Sequence, residues 1–180
     1  MENQVDYEWL MLNFTIPKEP SRVRVSVWRK LKKQGAVSIG QSTWLLPAMD
    51  NHLDFFNDIV NEIQDNHGTA YLAKADFITT TSSDDIVDIF NQARNEEYKE
   101  FLEKCEDFYA EIENETNKDN FTYVELEENE DEYNKLLEWF KKISFRDSFT
   151  APLKTDAIQA IEKCQNLLET FTNRVYELNN

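Results

Sequence analysis

The chain is poor in the residues that interrupt regular structure, with three glycines and four prolines among 180 residues. That scarcity excludes a collagen-like or Gly/Pro-rich low-complexity chain and favours long helices and strands joined by short turns. Histidine and cysteine are scarcer still, at two each. His52 and His67 flank one predicted helix, roughly 20 Å apart at the helical rise, too far to share a metal. They read as capping or surface residues. Cys105 and Cys164 stand far apart among apolar helical neighbours, which suits two reduced, buried thiols, with a disulfide or metal pair as the alternative. No apolar run approaches membrane length, and the opening MENQVDYE has neither a basic n-region nor an apolar h-region. A soluble, cytoplasmic protein with no membrane partner is expected. Glycine-rich phosphate loops, GxSxG elbows and HExxH helices are also missing. No catalytic residues, metal or cofactor are expected, and the chain reads as a non-enzyme.

Positive charge is in deficit: 19 Lys and Arg face 35 Asp and Glu, a formal net charge of −16. Phosphate binding runs on Lys and Arg, so this balance weighs against nucleic acid as a partner of the whole surface. The deficit is uneven, however. From Pro17 to Lys33 seven basic residues face Glu19 alone, whereas from Glu96 to Glu138 seventeen acids face four lysines. What the chain does have is core material, 41% hydrophobic and 13% aromatic. It is not a disordered tail.

Tyr7 to Ile16, dense in aromatic and branched residues and stopped by Pro17 and Pro20, reads as a central strand. Ser21 is a candidate N-cap for a basic helix with Val23, Val27 and Leu31 on its inner face, closed at Gly35. Val37 and Ile39, then Trp44 and Leu46, alternate as two strands with one buried face, joined by a turn at Gly40-Gln41-Ser42. Asp50 or Asn51 can cap a second helix, with Leu53, Phe56, Ile59, Val60 and Ile63 inward and a glycine stop at Asn66-His67-Gly68. Thr69 to Ile78 alternates as a fourth strand. Strand, helix, strand, strand, helix, strand is the ferredoxin-like βαββαβ order, an antiparallel sheet with both helices on one face.

From Ser82 the pattern is helical. Ser82 or Ser83 caps a long helix carrying Ile86, Ile89, Phe90, Ala93, Phe101, Leu102, Cys105, Phe108, Tyr109 and Ile112. ENETNKDN is a polar break. A helix through Tyr133, Leu136, Leu137, Phe140 and Ile143 follows. Phe145 to Pro152 is a loop, and Thr155 caps a last helix with Ile158, Ile161, Leu168, Phe171 and Val175 inward. The expectation is α+β: residues 1–80 as the sheet domain and 81–180 as an acidic three-helix bundle packed on it.

The acidic helices read as solvated, salt-bridged faces, Glu96, Glu97, Glu100 and Glu103 among them, because Lys99 and Lys104 are interleaved. Arg22, Ser26, Arg29 and Lys33 fall on one stripe of the first helix, and such a stripe can hold DNA phosphates or a small oxyanion. Arg22, Arg24, Arg29, Lys30 and Lys33 are the candidate anion- or nucleic-acid-binding residues. Internal pairing with the acidic half is the competing reading. Trp28 and Trp44 read as core or interface aromatics rather than base-stacking platforms.

The block WRKLKKQGAVSIGQSTWLLP resembles the N-terminal region of the chromate-resistance regulator family (ChrB-type proteins). Trp9 to Leu12, Pro17 to Pro20, Val27-Trp28-Arg29 with Leu31, Gly35-Ala36 and Trp44 to Pro47 carry the resemblance. Phe90 to Phe108 and Phe149 with Ala151-Pro152-Leu153 extend it. The same block is similar to the Cas2-like domain of phenylacetate-type transcriptional repressors, which implies the ferredoxin-like fold. A nuclease of that type would carry an Asp at the end of the first strand, where this chain has Asn13, Thr15 and Ile16. The resemblance implies a regulator of chromate resistance acting on transcription, with DNA or an oxyanion such as chromate as its anionic partner. A protein-interaction or dimerisation module without a ligand site is the alternative, with the third and fourth strands as candidate pairing surfaces and a homodimer expected.

Overall fold

Large apolar residues on both sides of one short segment demand cover on both faces, and the fold supplies it. Trp9–Thr15 forms β1, with Trp9, Leu10 and Leu12 all buried. The computed structural model describes residues 7–19, 21–77 and 83–179. The chain divides into two units, Met1–Phe90 and Asn91–Asn180. In the first, β1 is followed by α1 (Ser21–Gln34), β2 (Val37–Gly40), β3 (Thr43–Pro47), α2 (Asp50–Asp65) and β4 (Thr69–Ala75). The four strands form one antiparallel sheet in the order β2-β3-β1-β4. Leu12 lies opposite Trp44 of β3 on one side and Leu72 of β4 on the other, so these side chains share a face. Lys32 of α1 sits over the Trp44 ring and Lys30 pairs with Glu62 of α2, which places both helices over that face. Val23, Val27 and Leu31 point into it from α1, one per turn as the sequence pattern requires. On the opposite face Trp9 stacks on Phe90 at 5.5 Å between ring centroids.

Several expectations need correction. β3 is buried on both faces, Leu45 as fully as Trp44 and Leu46, because it is an interior strand. The sheet edges are therefore β2 and β4, and β3 is unavailable for edge pairing. Ile39 is exposed rather than inward, since the ladder shifts register between Ser38 and Gly40. In α2 the N-cap is Met49, whose side chain caps nothing, and Asp50 is instead the acid of the first turn. Leu53 is exposed, and His52 takes the inward position beside Phe56, with its Nδ1 2.9 Å from the Pro47 carbonyl. The fourth strand ends at Ala75; the expected Ile78 and the Ser82 cap lie outside the described residues.

The helix stops explain the glycines. Gly35, at φ 90°, closes α1 while Ala36 N–H bonds back to the Leu31 carbonyl. At α2 it is His67, not Gly68, that takes the left-handed conformation, at φ 60°. Gly68 is needed for space: a Cβ there would stand 2.6 Å from Ile63 Cγ2 and 2.8 Å from the Thr15 carbonyl. Gly68→Ala should therefore cost about 1–3 kcal/mol in urea unfolding, the usual penalty for overpacking. Gly40→Ala, with nothing within 4 Å of its Cβ, should stay within about 0.5 kcal/mol of the parent.

The second unit contains the rest of α3 (Ser83–Asn117), with α4 (Tyr123–Arg146) and α5 (Lys154–Asn179). Helix α3 runs through most of the expected polar break. Helix α4 starts on a capping signal, Thr122-x-x-Glu125, in which the Glu125 N–H donates to the Thr122 hydroxyl at 3.2 Å. Helix α5 begins at Lys154, so Thr155 lies inside its first turn, and Ile158 is exposed while Ala157, Ile161, Cys164, Leu168, Phe171 and Val175 are buried. These meet Tyr98, Phe101, Cys105, Phe108 and Ile112 of α3 and Leu126, Leu136 and Ile143 of α4 in one core. Both cysteines are free thiols within it. Among the described residues no helix is long and apolar enough to cross a membrane.

Candidate anion-binding surface

Helix α1 buries one stripe and presents the rest to solvent. With 3.6 residues per turn, Arg22, Ser26, Arg29 and Lys33 form one outward stripe, and Val25, Trp28 and Lys32 form another beside it. The five candidates are all exposed, but they do not act together. Lys30 is committed to Glu62 of α2 at 2.8 Å, and Ser26 donates to the same carboxylate at 3.1 Å. Arg24 turns back to the Lys18 carbonyl at 3.0 Å. Lys32 rests on the Trp44 ring. That leaves Arg22, Arg29 and Lys33 without an ion pair among the described residues. Their Cα atoms span about 16 Å of helix axis.

The surroundings decide which side an anion can approach. The groove between α1 and α2, about 600 Å³, is lined by Asp58, Glu62 and Asp65 with Lys30, so its lining repels an anion. Ser26 and Lys30 border those acids through Glu62, while Arg22, Arg29 and Lys33 make no ion pair with them. Trp28 is 52% exposed and Val25 43%, so an aromatic ring and a branched side chain flank the free cations. Trp44, by contrast, is a buried core residue, as expected of it. Asn13, where a nuclease aspartate would stand, donates to Thr43 Oγ1 across the β1–β3 ladder at 2.8 Å. Among the described residues no group of three His, Cys, Asp or Glu side chains is placed to hold a metal ion.

A second charged constellation, in the second unit, escapes a pattern reading. Arg94 occupies an inward position of α3 and is almost completely buried. It bonds Glu97 at 2.9 Å, and Glu97 also receives Arg146 of α4. Glu97 is thus an internal partner, not part of a solvated face. Asp147, with no side-chain exposure, accepts from the Tyr98 hydroxyl at 3.1 Å and the Ala151 N–H at 3.0 Å, and Lys154 stands 3.4 Å away. Burial pulls the Arg94 guanidinium below its usual range, with Glu97 opposing the shift. Burial pushes the Tyr98 phenol up to about 12. A phenol whose folded pKa lies above its unfolded value of about 10 contributes its full stabilisation below pH 10. That contribution should be lost as pH rises from about 10 through about 12, and Tyr98→Phe should flatten the alkaline limb of a stability–pH curve. This network holds helices together; its cations already have acids.

Residues 24–180 match the family model described as Protein ChrB, N-terminal. No curated protein matches the chain.

Proposed function

This chain belongs to the ChrB N-terminal family, a chromate-resistance family, and on that premise we propose that it is a non-enzymatic regulatory domain whose α1 stripe contacts DNA. The first unit, in this reading, is the split βαβ arrangement of ferredoxin-like domains, with the α1 face as its working surface and the acidic α3–α5 bundle as its companion. The observation that carries the reading is the set of three cations, Arg22, Arg29 and Lys33, without an ion pair among the described residues of a protein of net charge −16. In so acidic a chain, free cations would find internal acids unless the fold kept them apart. Arginine forks and a lysine at one-turn intervals suit successive phosphates, and Trp28 suits a sugar or base edge beside them.

The test is fluorescence anisotropy with a labelled duplex across a salt series. Each phosphate contact contributes about 0.9 to the slope of log affinity against log salt. Neutralising Arg22, Arg29 and Lys33 to alanine should lower that slope by about 3, and reversing all three to glutamate should abolish binding at low salt. Lys30→Glu should mainly loosen the Glu62 pair and leave the slope nearly unchanged. Absence of binding by the parent chain at low salt would overturn the proposal.

The exposure of Trp28 and Val25 favours a second reading, in which the α1 face pairs with another copy of the chain. Sedimentation equilibrium separates the two. A dimer dissociated by Trp28→Ala but indifferent to the triple reversal supports self-association without a ligand.

A further inference from the structure

Cys105 and Cys164 are both fully buried in the core shared by α3, α4 and α5. Two hydrogen bonds set the level at which they meet. The Leu153 N–H donates to Asn95 Oδ1 at 3.0 Å, and Asn179 Nδ2 donates to the Phe121 carbonyl at 2.9 Å. Each joins residues 58 apart in sequence, so α3 and α5 run parallel and position 105 stands level with 163. The inward side chains of Cys105 and Cys164 therefore share one layer of that core.

The pair is asymmetric and has a way in. Cys105 beside it holds the Cys164 thiol below its ordinary range, with Tyr109 and Lys163 acting in the same direction, while Cys105 is pushed up. Beyond Tyr109 and Lys163 lies a half-open groove of about 710 Å³, whose walls include Ile112, Leu167 and Phe171. Tyr109 is the partition: its hydroxyl donates to the Ala160 carbonyl at 2.8 Å, and Lys163 Nζ lies 3.6 Å from its ring centre. Lys163, the chain neighbour of Cys164, lines the groove beside Tyr109.

We propose that Cys105 and Cys164 are a redox dithiol, converted to a disulfide by a small neutral peroxide that enters past Tyr109. The Cys164 thiolate attacks one peroxide oxygen and the O–O bond breaks. Cys164 becomes a sulfenic acid, and the departing hydroxide takes a proton and leaves as water. The Cys105 sulfur then attacks the Cys164 sulfur, its proton leaves with the sulfenic oxygen as a second water, and the S–S bond forms. Two thiols lose two electrons and two protons, and the peroxide gains both.

Hydrogen peroxide added to the folded chain tests this by intact mass and thiol alkylation. The parent should lose two hydrogens and both alkylatable thiols, and dithiothreitol should restore them. Cys105→Ser should stop at a sulfenic acid on Cys164 that dimedone labels, and Cys164→Ser should stay unlabelled at the same dose. Tyr109→Phe should oxidise about fivefold faster, the factor expected from losing one hydrogen bond that closes the partition. Two alkylatable thiols persisting in the folded parent, under a dose that oxidises the urea-unfolded chain, would overturn the proposal. So would dimedone labelling of Cys105 in Cys164→Ser. The parent measurement does not depend on any variant folding.

Discussion

Asp147→Ala should destabilise the protein by about 3–5 kcal/mol, the cost of removing one member of a buried ionic network. Asp147 is the C-cap of α4 and its carboxylate has no solvent exposure, so its partners cannot turn to water in its place. The substitution strands the Tyr98 hydroxyl, the Ala151 N–H and the charge of Lys154 together. It also removes an acid that balances Arg94. The loop it secures is itself strained: Thr150, a β-branched residue, sits at φ 59°. Asp147→Asn keeps an oxygen for Ala151 and should recover part of the loss. Urea unfolding followed by far-UV circular dichroism measures both, and a loss under 1 kcal/mol for the alanine variant would show that the network is dispensable.

Trp9→Ala should cost the first unit about 3–5 kcal/mol, the range for deleting a large aromatic from a packed core. Trp9 is completely buried and belongs to the strand paired on both sides, opposite Pro47 and Ala75. Its ring stacks on Phe90, so truncation loses a ring contact as well as area. Trp9→Phe should lose considerably less, since a ring remains to meet Phe90. A thermal melt of the two variants orders them, and equal losses would place the effect in the backbone rather than in the ring.

These two residues differ in how far the sequence discloses them. Trp9 sits in a run of apolar residues that can only be a buried strand, and the basic helix is equally plain, because Val23, Val27 and Leu31 repeat once per turn. Leu53 and Ile158 fall on the wrong side because an apolar stripe is wide enough to be centred on either neighbour. What decides the phase is tertiary: His52 wins its inward place through the Pro47 carbonyl, and Ala157 through close approach in the α5 core. Arg94 and Asp147 are illegible for a different reason. Arg94 finds Glu97 only three residues on, but Glu97 also takes Arg146 and Asp147 takes Tyr98, each 49 residues away, and no local pattern encodes those longer pairings. The Thr122-x-x-Glu125 cap is written openly in the sequence, and a reading centred on apolar stripes passes over it. At the α1 surface the sequence supplies the cations and their stripe, but not the subtraction: only the fold shows that Lys30 and Arg24 are spoken for.

The place of β1 in the order β2-β3-β1-β4 has a consequence for synthesis. Among the described strands the first to be made, β1, is an interior one, and its last partner, β4, begins only at Thr69. At about 5–20 residues per second, Trp9–Thr15 waits roughly 3–10 s with a hydrogen-bonding edge open. Once β3 has formed, Trp9, Leu10 and Leu12 still lack their partner on the β4 side, an apolar strand with one edge open for a chaperone to shield.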